Sequence, residues 1–339
     1  MLLLQRMMRE STMLCAAMMK RGIGRSRCTA FLAVFLASAP PAAAQATPAR
    51  DALTVMTFNI RYAHTQPPDL WPDRLPVVLD LIARWRPDIL GTQEGLYPQL
   101  RDLDRALPDY AWIGLGRDGG SRGEFMAVFY RRDRLEPLEY DHYWLSDTPA
   151  LPGSRTWGNS YPRMVTWVRF RERASGRELL FVNTHLDHEV QVSRERAAAL
   201  ILERLAGSPP DLPVILAGDF NVAARGNPVY SMLTGTGGFT DSWRAVGRAD
   251  TLGTFHGFKG VAAARGTPRI DWILTRGPVV ALSSDIITDA RDAQLPSDHF
   301  PVVARLQLTS PIPVAKPPDT AASLPLSGIG SGQSKGQRQ

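Results

Sequence analysis

Five short stretches of this chain place carboxylates, amides and imidazoles where β-rich runs end: Thr57-Phe58-Asn59-Ile60-Arg61, Gly91-Thr92-Gln93-Glu94, Asn183-Thr184-His185-Leu186-Asp187-His188, Gly218-Asp219-Phe220-Asn221, and Arg269-Ile270-Asp271-Trp272-Ile273 followed by Ser297-Asp298-His299. Residues i and i+2 of an extended segment share a face. Asp219 and Asn221 can therefore address one substrate atom, and so can Asn183 and His185. Ligand sites of α/β sheets form beyond the carboxyl ends of strands, where such groups are presented rather than buried. Glu94, Asp219 and Asp298 with Asn59 and Asn221 make an oxygen-rich set that suits Mg2+ or Mn2+ better than zinc, and Ca2+ also fits. Asp271, flanked by Ile270, Trp272 and Ile273, is costly to bury unless something pairs it, and His299 is the candidate partner.

Taken singly, these stretches also have plain structural readings. Gly-Asp-Phe-Asn has the composition of a turn, and His185 could be a satisfied core histidine. Arg163, in Tyr161-Pro162-Arg163-Met164, is either a bidentate phosphate contact or an exposed structural arginine. Glu124 reads more readily as a solvated loop residue than as a site carboxylate. The loop 114–123 contains five glycines but no Walker lysine and no following helix pattern, so it is not read as a nucleotide cradle.

The elements that must position these residues follow from periodicity. Strands are predicted at 53–60, 89–92, 126–130, 164–170, 178–185, 213–217, 269–275 and 302–308, and helices at 74–85 and 190–205. Strands alternating with helices early and again mid-chain, with consecutive strands elsewhere, predict an α/β fold with mixed sheets. No low-complexity break or internal repeat interrupts residues 50–309, so one domain is expected there.

The ends read differently. In residues 1–46, Lys20, Arg21, Arg25 and Arg27 precede an apolar run at 29–39, and Ala44-Gln45-Ala46 fits an A-x-A cleavage site, so a signal peptide and export to the periplasm or the exterior are expected. No stretch approaches the roughly 18 to 20 apolar residues of a membrane span. Cys15 and Cys28 both precede the cleavage site, which removes disulfides, zinc-thiolate sites and a catalytic thiol from the mature chain. Residues 310–339 are rich in Pro, Gly, Ser and Ala, the composition of a disordered tail. The net charge of +6 belongs to these ends, because residues 47–310 hold 30 basic and 31 acidic side chains. A nucleic-acid-binding structural protein thereby loses its compositional support.

In this order, the five stretches resemble the endonuclease/exonuclease/phosphatase superfamily of metal-dependent phosphoesterases, over nearly all of 53–308. The resemblance implies a four-layer sandwich of two mixed β-sheets flanked by helices. It also implies roles. Glu94 resembles the principal metal ligand with Asn59 beside it, and Asp298 a residue that binds metal or lies next to it. Asp219 resembles the group that positions or deprotonates the attacking water, and Asn221 a phosphate or nucleophile contact. His299, paired with Asp271, is expected to face the phosphoryl group. His185 is similar to the histidine of the phosphodiesterase, lipase-like and deadenylase branches rather than the abasic-site nucleases, and Arg163 and Asn183 are expected to contact substrate. The expectation is an exported, monomeric, Mg2+-dependent phosphoesterase acting on nucleic acid, a phospholipid head group or a small phosphorylated metabolite. The alternative is a catalytically inactive secreted binding module on the same fold.

Overall fold

β1 (Ala52–Asn59) is buried on both faces, with Leu53 and Val55 in one apolar core and Met56 and Phe58 in another. A strand sandwiched in this way belongs to the middle of a layered structure. A computed structural model describes residues 52–309 apart from Asp292, so the signal-peptide and tail readings fall outside the described residues. After β1 come α1 (Trp71–Trp85), β2 (Ile89–Gln93), β3 (Gly95–Leu96), α2 (Tyr97–Ala106), β4 (Tyr110–Ile113), β5 (Glu124–Phe125) and β6 (Val128–Arg131). Then follow β7 (Leu135–Trp144), β8 (Met164–Glu172), β9 (Glu178–His185), α3 (Gln191–Leu205), β10 (Val214–Asp219), β11 (Thr240–Asp241), β12 (Asp271–Arg276), β13 (Val279–Ile286) and β14 (Val302–Leu308), with short helical turns between β10 and β12.

One sheet has the order β13-β14-β1-β2-β6-β4 and the other β11-β12-β10-β9-β8-β7, while β3 and β5 form a small ribbon. β1 runs parallel to β2 and β9 parallel to β10, and the other pairs are antiparallel, so both sheets are mixed. Leu53, Val55 and Ile89 meet Phe170, Phe181 and Ile215 between the sheets. α1 and α2 cover the outer face of the first sheet through Val78, Leu81 and Leu103, and α3 covers the second through Ala198, Ile201 and Leu205. The result is the four-layer sandwich that the resemblance implied. No described helix is long and apolar enough to cross a membrane.

Register gathers the chemistry at one end. Asn59 is opposite Gln93, and Asp219 is opposite both His185 and Asp271. β10 runs to Asp219, two residues past its expected end, so the carboxylate is the last residue of a strand. The periodicity reading missed the four edge strands of the two sheets, β4, β7, β11 and β13, and the short β3–β5 ribbon; β7 and β13 are the long ones among them. The centre of β7 is exposed and polar, and β13 exposes Val280 and Leu282, so neither carries the inward pattern of a buried strand. α2 was also missed, because Leu100 and Leu103 alone make too short an apolar stripe.

Candidate active site

Tight turns aim the strand-end side chains. Arg61, Glu94 and Asn221 have φ of 55°, 64° and 51°, the left-handed region that costs a non-glycine residue energy and persists only where surrounding structure enforces it. Just before Asp219, Gly218 has φ 153°, and a Cβ there would lie 2.0 Å from the Thr184 carbonyl oxygen. Only glycine lets β10 lie so close to β9 at that point.

A buried arginine locks two of these loops together. From α1, Arg74 donates Nε to the Asp69 carbonyl (2.8 Å), Nη1 to those of Ile60 (2.5 Å) and Pro296 (3.1 Å), and Nη2 to those of Arg61 (3.0 Å) and Tyr62 (3.3 Å). Gln99 of α2 accepts from Ala63 N and donates to the Arg61 carbonyl, and Ser297 Oγ donates to the Asn59 carbonyl. Sequence reasoning passed over Arg74, although a signal existed: it lies on the apolar stripe of α1 with Val78 and Leu81. Replacing it, Arg74→Met, strands several buried carbonyls. We expect a loss of about 3 kcal/mol or more in denaturant unfolding.

These loops border a cavity of about 620 Å³ lined by Glu94, Asp298, Asp219, Asn221, His185, His299, Arg163, Arg61, Arg117 and Glu124, with Tyr62, Tyr161 and Phe255 as its aromatic wall. Glu94 Oε1 accepts from Asn59 Nδ2 (2.9 Å), and its Oε2 faces Tyr62 N (3.3 Å) and Arg61 Nη1 (3.4 Å). Asp298 lies 3.6 Å from Arg61 Nε. Asn59 sits beneath the cavity: its Nδ2 also reaches Asp219 Oδ2 (3.0 Å), while its Oδ1 accepts from Arg61 N (3.0 Å). The amide therefore bridges two carboxylates, and its oxygen, with one lone pair taken by Arg61 N, keeps a second for a ligand.

Asp219 Oδ1 accepts from Asn221 N (2.8 Å), and Oδ2 stands 3.7 Å from His299 Nε2. His299 Nδ1 is 3.0 Å from Asp271 Oδ2. Burial works against charge on His299, yet Asp271 and Asp219 outweigh it and push its pKa up to about 10, so the ring is an imidazolium at neutral pH. Burial, reinforced by the negative charge of Asp271, raises the Asp219 carboxyl. His185 goes the other way: burial, then the charges of Arg163 and Arg117, hold it well below its ordinary value. Its Nε2 takes a hydrogen bond from Asn221 Nδ2 (3.0 Å). With Nε2 accepting from Asn221, the neutral ring orients that amide.

Arg163 is held by Asp187 (3.4 Å) and His188 (2.9 Å), and its buried Nη1 has no hydrogen-bond partner among the described residues. Asn183 shares a face with His185, as the period-2 argument required, but lies one pleat deeper. There it is wholly buried, donates to the Thr92 and Ala127 carbonyls and accepts from Gln93 Nε2, tying the two sheets together. It does not reach the cavity, so its expected contact with substrate is corrected. Glu124 is the opposite case, since the structure puts it in the cavity wall at 2.7 Å from Arg117.

The donor set fits a hard divalent cation. Glu94, Asp298, Asp219 and Asp271 gather beside Arg61, Arg163 and the His299 imidazolium. Burial raises the Asp298 carboxyl, with help from the charge of Glu94, as it raises that of Asp219. Several buried carboxyls disfavoured as anions in one cavity are what a cation would relieve. Asp219, Asp271 and His299 also come within 4.8 Å of one another, but an imidazolium cannot ligate a metal, so these three form an ion-pair cluster beside the cation site.

The family model described as Endonuclease/Exonuclease/phosphatase family matches residues 56–299, a span that contains every residue lining this cavity. The chain belongs to this family. An endonuclease/exonuclease/phosphatase from Bacteroides vulgatus is 34% identical, with a TM-score of 0.71, covering 76% of this chain and 99% of that one. A mannosyl-6-phosphatase from Bacteroides thetaiotaomicron is 36% identical, with a TM-score of 0.70 over 75% of this chain and 99% of that one. Tyrosyl-DNA phosphodiesterase 2 of Danio rerio is 25% identical over 180 residues, 52% of this chain. The match spans 44% of the zebrafish protein, less than half its length. Membership of the endonuclease/exonuclease/phosphatase family accounts for the order of the five stretches and for the two packed sheets.

Proposed function

We propose that the protein is an exported, monomeric phosphoesterase that hydrolyses a small phosphomonoester by metal-assisted attack of water. The observation that carries this reading is the convergence of Glu94, Asp298, Asp219 and the His299–Asp271 pair on one cavity. A divalent cation, Mg2+ by preference, would be held by Glu94 and Asp298 and would polarise a phosphoryl oxygen. Asp219, fixed by Asn221 and Asn59, accepts the proton of the attacking water, and its raised pKa suits it as a base near neutrality. The His299 imidazolium offers Nε2–H to the charge that develops on the phosphoryl group, while Asp271 holds the far side of the ring. Arg163 lines the cavity with a guanidinium suited to a phosphate oxygen.

Two observations favour a small monoester over a polyanion. Residues 47–310 carry no excess of basic side chains, and one solved relative is a mannosyl-6-phosphatase. The leader-like pattern in residues 1–46 supports export. The test is turnover of p-nitrophenyl phosphate and bis(p-nitrophenyl) phosphate by the purified protein. We expect EDTA-sensitive hydrolysis with the monoester preferred. A preference for the diester overturns the monoester reading, and silence with every divalent metal favours the inactive binding module.

A further inference from the structure

One wall of the cavity contains an ion pair that the proposed chemistry does not use. The β3–β5 ribbon places Glu124 opposite Leu96, two residues beyond Glu94. The adjoining loop is fixed by backbone and ring: Arg117 N donates to the Glu124 carbonyl (2.9 Å), and Trp144 Nε1 donates to the Arg117 carbonyl (2.7 Å). The Arg117 guanidinium lies 4.9 Å from the centre of the Tyr161 ring and 2.7 Å from Glu124 Oε2. Both side chains of the pair are about nine-tenths buried, at 9% and 13% exposed. Burying an ion pair seldom stabilises a fold relative to apolar residues, so retention of this pair in a cavity wall points to recognition.

Unused valences point the same way. Among the described residues Arg117 Nε is buried without a hydrogen-bond partner, and none donates to Glu124 Oε1. Because Glu124 neutralises Arg117, this wall has little attraction for a second anion, and a flanking phosphate of a polynucleotide would meet a carboxylate. Hydroxyl groups fit it, since each can accept from a guanidinium and donate to a carboxylate at once. The half-exposed Tyr161 adds an aromatic face beside the pair.

We propose that Arg117 and Glu124, flanked by Tyr161, form a subsite for the hydroxyl groups of an uncharged, polyhydroxylated alcohol esterified to the phosphate, so that the substrate is a sugar-phosphate monoester. This rests on the hydrolase reading above and adds the alcohol to it. The test compares kcat/KM for mannose 6-phosphate and p-nitrophenyl phosphate, both with Mg2+, in the full-length protein and in Glu124→Gln and Arg117→Met. The ratio of sugar phosphate to aryl phosphate should fall about tenfold or more in each variant, mainly through KM, because unpaired polar groups in a site discriminate strongly. Glu124→Gln preserves shape, so its remaining aryl-phosphate turnover reports on the fold. An unchanged ratio in Glu124→Gln overturns the subsite, as does a wild-type preference for a single-stranded oligonucleotide over the sugar phosphate. Failure of the wild type to hydrolyse even the aryl phosphate instead removes the hydrolase reading, and the subsite with it.

Discussion

Asp219→Asn should lower turnover by about a thousandfold, the contribution expected of a positioned general base, without lowering stability. The carboxylate is wholly interior and lies near Asp271, and both facts disfavour its charged form. A neutral amide of the same shape removes that unfavourable charge while keeping an acceptor for Asn221 N or Asn59 Nδ2. The fold should therefore hold as well as before or better, while the proton of the attacking water has nowhere to go. Stability gained where activity is lost marks a residue kept for its chemistry. Turnover within tenfold of wild type, in a protein with an unchanged unfolding midpoint, removes Asp219 from the mechanism.

His299→Gln should carry the opposite stability signature. Here the folded protein favours the charged ring, because Asp271 and Asp219 both face it and raise its pKa to about 10. A raised histidine pKa means that protonation adds to native stability at neutral pH. Glutamine can keep a hydrogen bond to Asp271 but leaves two buried carboxylates without their counter-charge, at a cost of about 3 kcal/mol. Turnover should also fall by about a thousandfold, since the donor aimed at the developing phosphoryl charge is lost. Denaturant unfolding and steady-state kinetics on one preparation check both effects. Loss of stability with full turnover would make His299 structural only.

The contrast between these two residues shows what could be read from residue types and spacing. Asp219 and His299 stand at strand ends in runs whose order is specific, and Asp271 betrays its partner because a carboxylate inside an apolar strand requires one. Asn183 obeyed the same face rule as His185, yet period 2 does not say how deep along a strand the cavity begins. The neutral state of His185 depends on its burial, reinforced by Arg163 and Arg117, which come from other loops. Glu124 was obscured because its strand is two residues long and its partner is decided by tertiary packing, not by pattern. Arg74 could have been suspected from its place on an apolar stripe, but not the loops it joins. The strands missed were sheet edges, where exposure erases the alternation that reveals interior strands.

The most direct measurement sets three rates side by side: hydrolysis of p-nitrophenyl phosphate by the full-length protein with Mg2+, by the same protein after EDTA, and by Asp219→Asn with Mg2+. Rapid turnover in the first alone is the expected result, because the cation and the Asp219 carboxylate are both required at the cavity formed by the ends of β1, β2, β9 and β10. Equal rates in all three would contradict a metal-assisted phosphoesterase built on these residues.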